Sequence, residues 1–315
     1  MTMTQSAHPQ SVAPPQLAGV LPVFQTPYYD DESIDFDTLG REIDWLYKHG
    51  VQGITMAMVS EVLRLSDSER REVAGQACRF SAGRGAVVIS VGAECSKLAE
   101  DFARHAQSVG AAAVMAAPPI ATRLGGDELL RYYRRIIEAV NLPVIVQDAS
   151  GYVGAPMPIT TQAALLDEYG PDRVMFKPEA APIGPKLTEL REATGGRAKV
   201  FEGSGGIALV DSYRRSIVGA MPGAEIADSI VALWRALEAG DDRRIYQLSQ
   251  PIGALVALQS GLDGFLAVEK HLLVQRGVFK TARVRGPVSF TLDPETLAEV
   301  DRLFAQVQKA TRGER

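Results

Sequence analysis

From Gly19 onward the chain alternates short apolar runs with longer stretches of helical periodicity, separated by polar turns. The apolar runs fall at Gly19–Thr26, Gly53–Met58, Ala86–Val91, Ala112–Ala116, Pro143–Gln147, Val174–Lys177, Lys199–Glu202 and Val218–Met221. Helical stretches lie between them, near Phe36–His49, Ser66–Ser81, Ser96–Val109, Asp127–Val140, Thr160–Tyr169, Pro185–Ala193, Gly206–Ser216 and Ala224–Ala239. Ser66 followed by Glu69 has the form of a capping box and predicts a helix start there. Several runs are apolar at successive positions, which suits strands of a parallel sheet covered on both faces. Eight such units predict an α/β fold of the (β/α)8 TIM-barrel type. A doubly wound sheet would place a glycine-rich phosphate loop after its first strand. Here that run leads into Thr26-Pro27-Tyr28-Tyr29.

After the eighth unit the chain stays helical at Asp241–Leu258, Leu262–Arg276 and Pro294–Lys309, with Arg285-Gly286-Pro287 breaking the last two apart. Residues 17–240 therefore read as the barrel and 241–315 as a helical appendage, packed on the barrel or on a neighbouring subunit. The opening residues Met1–Gln16 are rich in Ser, Thr, Gln and Pro. They lack the basic start and apolar stretch of a signal peptide and read as a disordered arm.

Composition narrows the function classes. The 315 residues are 46% hydrophobic and 23% charged, as in an ordinary soluble globular protein, and the net charge of -5 offers no footprint for nucleic acid. No apolar run approaches the roughly 18 residues of a membrane span, so no membrane partner is expected. Two cysteines, Cys78 and Cys95, cannot build a disulfide framework and suit a reducing, cytoplasmic setting. The four histidines, with His8 in the arm, show no zinc spacing, so no metal is expected.

In a barrel, the polar residue that ends an apolar strand points into the C-terminal mouth, where sites lie. Lys177 follows Val174-Met175-Phe176 and is the one lysine of this chain that ends a predicted barrel strand. An amine at the edge of the low-dielectric interior is favoured in its neutral form. A neutral amine can attack a carbonyl to form a Schiff base, whereas a lysine that snorkels to solvent would do nothing of the kind. Glu179 lies two residues on and faces the same way along an extended chain.

The segments Asp35-Phe36-Asp37-Thr38-Leu39, Gly50-Val51-Gln52-Gly53-Ile54, Gly110-Ala111-Ala112-Ala113-Val114, Leu142-Pro143-Val144-Ile145-Val146 and Phe176-Lys177-Pro178-Glu179 resemble the dihydrodipicolinate synthase/N-acetylneuraminate lyase superfamily of class I aldolases. The resemblance runs from Gly19 to about Pro287. It implies a (β/α)8 barrel with C-terminal helices, a homo-oligomer (tetramer or dimer), and Lys177 as the Schiff-base lysine acting on a small 2-oxo acid.

The departures from that family are informative. Its strand-two Gly-Thr-Thr-Gly-Glu, which holds the keto-acid carboxylate, is Ala57-Met58-Val59-Ser60-Glu61 here, so Val59, Ser60 and Glu61 stand at the carboxylate-binding positions. Its strand-five Tyr-Asn-Val-Pro-x-Arg becomes Gln147-Asp148-Ala149-Ser150-Gly151-Tyr152, and its Thr-Pro-Tyr-Tyr becomes Pro118-Pro119-Ile120-Ala121. On this reading the synthase's proton relay is replaced by groups that pass no proton, which argues against an authentic dihydrodipicolinate synthase.

The Gln147-Asp148 pair, Lys177-Pro178-Glu179, Gly203-Ser204-Gly205-Gly206 and Gly219-Ala220-Met221-Pro222-Gly223 resemble instead the 2-keto-3-deoxy-sugar-acid dehydratases of the L-2-keto-3-deoxyarabonate type. That resemblance implies Glu179 as the base at C3. Gln147, Asp148 and Thr26 are then expected at substrate hydroxyls or the carboxylate, with Asp148 as a loop cap and Thr26 as a turn residue the alternatives. Gly203 and Met221 are expected where backbone approaches the ligand. The function expected is a cofactor-independent lyase, dehydratase first and pyruvate-dependent aldolase second. A barrel that binds a keto acid without turning it over is a third possibility.

Overall fold

The computed structural model describes residues 16–314. The arm expected at Met1–Gln16 lies outside them except for Gln16, which is exposed. Each apolar run supplies a strand: β1 (Gly19–Val20), β2 (Gly53–Met56), β3 (Ala86–Ser90), β4 (Ala113–Ala116), β5 (Val144–Asp148), β6 (Val174–Pro178), β7 (Phe201–Glu202) and β8 (Gly219–Ala220). All pair in parallel, β2 to β6 in one sheet and β7-β8-β1 in another. Parallel bridges Val23↔Thr55 and Phe176↔Val200 join the two pieces and close the ring. The fold is a (β/α)8 barrel with a helical C-terminal region.

The covering helices are α1 (Phe36–Lys48), α2 (Asp67–Ser81), α3 (Ser96–Ser108), α4 (Gly126–Ala139), α5 (Ile159–Tyr169), α6 (Ile183–Ala193), α7 (Leu209–Tyr213) and α8 (Ala227–Ala239). At the start of α2, Ser66 Oγ accepts from the Glu69 amide while Glu69 Oε2 accepts from the Ser66 amide, the reciprocal cap expected from the spacing. Of the elements shorter than the apolar pattern suggests, β1 and α7 fall furthest short. Strand β1 is regular only over its first two residues because Pro22 has no amide to donate. Helix α7 starts at Leu209 rather than Gly206, since Gly205 and Gly206 both adopt positive φ.

Side-chain alternation along the strands divides two cores. Leu21, Val23, Ala57, Val88, Met115, Ile145, Met175, Phe201 and Met221 pack together inside the ring. Their sequence neighbours, among them Val20, Phe24, Val144, Val146, Val174 and Phe176, pack outward against the helices. This parity decides what reaches the mouth. Met175 is followed inward by Lys177, Ile145 by Gln147, Phe201 by Gly203, and Val23 by Gln25.

The appendage comprises α9 (Asp242–Val256), α10 (Gly261–Gln275) and α11 (Pro294–Arg312). No single helix among the described residues is long and apolar enough to cross a membrane. Helix α10 is pinned over the strand ends by Lys270, which is wholly buried. Its ammonium donates to the carbonyls of Thr26 and Arg283, each at 2.7 Å, and to Glu61 Oε1. The Arg285 amide reaches Glu61 Oε2, and the Arg285 guanidinium grips Glu69 and the Glu32 carbonyl. Removing one member of a buried ion pair leaves its partner uncompensated. Lys270→Met is therefore expected to lower stability by about 3 kcal/mol. A urea-unfolding midpoint unchanged from wild type would contradict this role.

Candidate active site

Strands β5 and β6 run in register with Gln147 beside Lys177, so the two inward side chains emerge next to each other at the mouth. Lys177 Nζ donates to Glu179 Oε1 at 2.5 Å, and Gln147 Nε2 donates to Glu179 Oε2 at 2.7 Å. All three residues are buried. The Glu179 amide also donates to the Asp148 carbonyl, which holds the turn after β6 against the end of β5. Gln147 Oε1 has no hydrogen-bond partner among the described residues and is left to accept from a ligand.

These groups line a recess together with Val59, Tyr152, Gly203, Met221, Gly223 and the α10 residues Leu262, Phe265 and Glu269. Gly203 has a specific reason to lack a side chain. A Cβ there would lie 2.7 Å from Lys177 Nζ and 2.8 Å from Glu179 Oε1, closing the space over the amine. Leu262, Phe265 and Glu269 recur at i, i+3 and i+7, one face of α10 turned towards the recess.

Burial raises the Glu179 carboxyl above its ordinary range, while Lys177 and Gln147 pull it back. Burial also raises the Tyr152 phenol, and neighbouring Glu179 adds to the shift. Tyr152 Oη donates to the Gly203 carbonyl at 3.0 Å, and its ring packs edge-on against Phe265.

Of the expected site residues, Lys177, Glu179, Gln147, Val59, Gly203 and Met221 share the recess. Thr26, Ser60, Glu61 and Asp148 are buried but committed elsewhere. Thr26 Oγ1 donates to the Ser60 carbonyl, and Ser60 Oγ donates to the Phe24 carbonyl. Glu61, at positive φ, is held by Lys270 and the Arg285 amide. Asp148 accepts from the amides of Ser150 and Met157, so both its oxygens cap the loop after β5. Parity explains Asp148 and Thr26, which fall in step with the outward residues Val146 and Phe24.

Three residues at the mouth escaped the sequence reading. Tyr152, noted in the sequence only as the last residue of the segment that replaces the family's strand-five motif, brings a phenol into the recess five positions after Gln147. Glu202 ends β7, is buried and pushed up by that burial, and binds the Ser204 amide. Its strand-end position was the available signal. Glu269 has none, because it sits on an appendage helix remote in sequence. No group of three His, Cys, Asp or Glu side chains among the described residues could hold a metal ion.

Residues 16–307 match the profile of the Dihydrodipicolinate synthetase family. The chain belongs to that family. The chain is 28% identical over 297 residues to the L-2-keto-3-deoxyarabonate dehydratase of Azospirillum brasilense, covering 92% of this chain and 94% of that one. It is 25% identical over 288 residues to the 4-hydroxy-tetrahydrodipicolinate synthase of Rhizobium meliloti (strain 1021), covering 90% and 96%. Among solved structures, dihydrodipicolinate synthase from Rhodopseudomonas palustris superposes with a TM-score of 0.84 at 26% identity, covering 92% of this chain and 97% of that one. A catalytic lysine mutant of Ruminococcus gnavus sialic acid aldolase shares the fold, with a TM-score of 0.84 at 18% identity over 95% and 98% of the two chains.

Proposed function

We propose that this member of the family is a Schiff-base hydro-lyase that dehydrates a 2-keto-3-deoxy sugar acid. The observation that carries the proposal is the buried set Lys177–Glu179–Gln147, an amine whose neighbour is a carboxylate held by an amide rather than by a phenol. Similarity to the A. brasilense dehydratase over nearly the whole of both chains supports the same substrate class.

The chemistry follows from the residues. Lys177 passes a proton to Glu179 and its amine attacks the C2 carbonyl; Glu179 then returns that proton to the departing hydroxyl, so that water leaves, an iminium forms and the carboxylate is ionised again. The iminium withdraws electrons from C3, whose proton goes to the ionised Glu179 carboxylate and leaves an enamine. Expulsion of the C4 hydroxyl regenerates a conjugated iminium, and the proton held by Glu179 leaves with that hydroxyl as water. Hydrolysis then frees Lys177 and the dehydrated 2-oxo acid. The strand-two turn Met58–Ser60 leaves its opening amides without an intrahelical partner, a fitting end for the C1 carboxylate.

Tyr152 favours a second reading, retro-aldol cleavage, because a phenol in the recess can take the proton of a C4 hydroxyl. Incubation with L-2-keto-3-deoxyarabonate separates the two. Dehydration is expected to yield a five-carbon 2-oxo acid one water lighter than the substrate. Pyruvate and glycolaldehyde in its place would establish the aldolase. Turnover of neither kind, with covalent trapping on Lys177, would mark a binding protein.

A further inference from the structure

Among the described residues Lys177 is the only basic side chain lining the recess, and the imine consumes it. The other ionisable groups lining it are Glu179, Tyr152 and Glu269, so no second cation among the described residues lines the recess to meet the far end of a substrate. Glu269 is unusual among them because the reaction does not use it. It is buried on α10, its Oε2 accepts from Gln25 Nε2, and its Oε1 makes no hydrogen bond among the described residues.

Oε1 lies over Gly223, where an added Cβ would collide with both it and Glu225 Oε2. The glycine thus lets two carboxyls meet at the rim of the recess. Around them the polar groups are incompletely paired. Glu225 Oε2, Gln25 Oε1 and Glu42 Oε2 are buried without hydrogen-bond partners among the described residues, and their side chains are at least nine-tenths buried. Glu42 is tied to this group through the Gln25 amide at 2.9 Å. Buried polar groups left unpaired are costly, and such groups beside a recess mark a place for a hydrogen-bonding ligand. Burial and the neighbouring Glu225 and Glu42 raise Glu269 well above the usual carboxylate range, with Lys270 opposing. Burial pushes Glu225 up to about 7. The carboxyls can therefore share a proton, so that one oxygen accepts while another donates, which is what a hydroxyl requires.

We infer that Glu269 is the specificity residue of this site, selecting a 2-oxo acid whose distal end bears neutral hydroxyls and rejecting one that ends in a second carboxylate. The inference rests on the Schiff-base reading of Lys177 and adds to it the means by which the appendage chooses the substrate. A second carboxylate would meet a group of carboxyls whose opposing cation, Lys270, already donates to Glu61, whereas a hydroxyl meets both an acceptor and a donor.

The test compares wild type with Glu269→Gln and Glu269→Met, each checked by thermal unfolding, in borohydride trapping of four 2-oxo acids. Pyruvate, which has no tail, is expected to be trapped equally by all three proteins. A 2-oxo acid with C4 and C5 hydroxyls should be trapped at least tenfold less well by Glu269→Met. 2-Oxoadipate should be refused by wild type and admitted at least tenfold better by Glu269→Gln. 2-Oxohexanoate should gain most in Glu269→Met, an improvement that a poorly folded variant would not produce. Equal tail preferences in all three proteins, with pyruvate trapped normally, would overturn the role of Glu269 alone. Absence of pyruvate trapping in wild type would instead overturn the Schiff-base reading. Calorimetric binding of the same acids needs no imine and decides the tail preference in that case too.

Discussion

A Lys177→Ala protein should trap no pyruvate under borohydride and should turn over a 2-oxo acid at less than a few per cent of the wild-type rate. The expectation rests on covalency, because without the amine there is no iminium to accept electrons from C3. The remaining groups in the recess provide only proton transfer. The substitution also removes the counter-charge of Glu179, a buried carboxylate whose amide partner Gln147 remains. Burial already raises that carboxyl, so it can take a proton and avoid the full cost of a lone buried charge. A modest fall in melting temperature with retained far-ultraviolet circular dichroism is expected. The decisive readings are trapping, followed by peptide mass analysis, and turnover on the folded variant. Turnover well above a few per cent would rule out Lys177 as the nucleophile.

Glu179→Gln should lower kcat by about 10²–10⁴-fold while pyruvate is still trapped on Lys177. The split between trapping and turnover matters, since a residue that only positions the lysine would affect both together. The pH profile adds an independent reading. The base works ionised, and burial raises the Glu179 carboxyl. Wild-type kcat is therefore lost as pH falls through a value above the ordinary carboxylate pKa of about 4.3. The Glu179→Gln protein has no such group to protonate, and its residual rate should be flat across that limb. A kcat within tenfold of wild type, with the acid limb intact, would transfer the role of base to Tyr152 or Glu202.

Much of this was legible along the chain because alternation and helical periodicity are local properties. The eight strand positions, the Ser66 cap and the strand-end placement of Lys177 and Glu179 each depend on a few consecutive residues. The same alternation, carried one step further, already sets Asp148 and Thr26 in step with outward neighbours, away from the recess. Their carboxylate and hydroxyl cap and tie loops instead.

The sequence by itself determined the barrel and the strand-end placement of Lys177 and Glu179. Only the tertiary structure decided which groups complete the site. Tyr152 enters the recess because the loop after β5, capped by Asp148, turns the chain back towards Gly203. Glu61 leaves the site because Lys270 of α10 and the Arg285 amide take its carboxylate. Glu269 joins it because the same buried lysine pins that helix across the mouth. The contacts of Lys270 and Arg285 link positions more than 200 residues apart, so no local pattern announces them. They follow from burial, which makes an unpaired charge too costly to leave and so draws remote segments together over the reactive lysine.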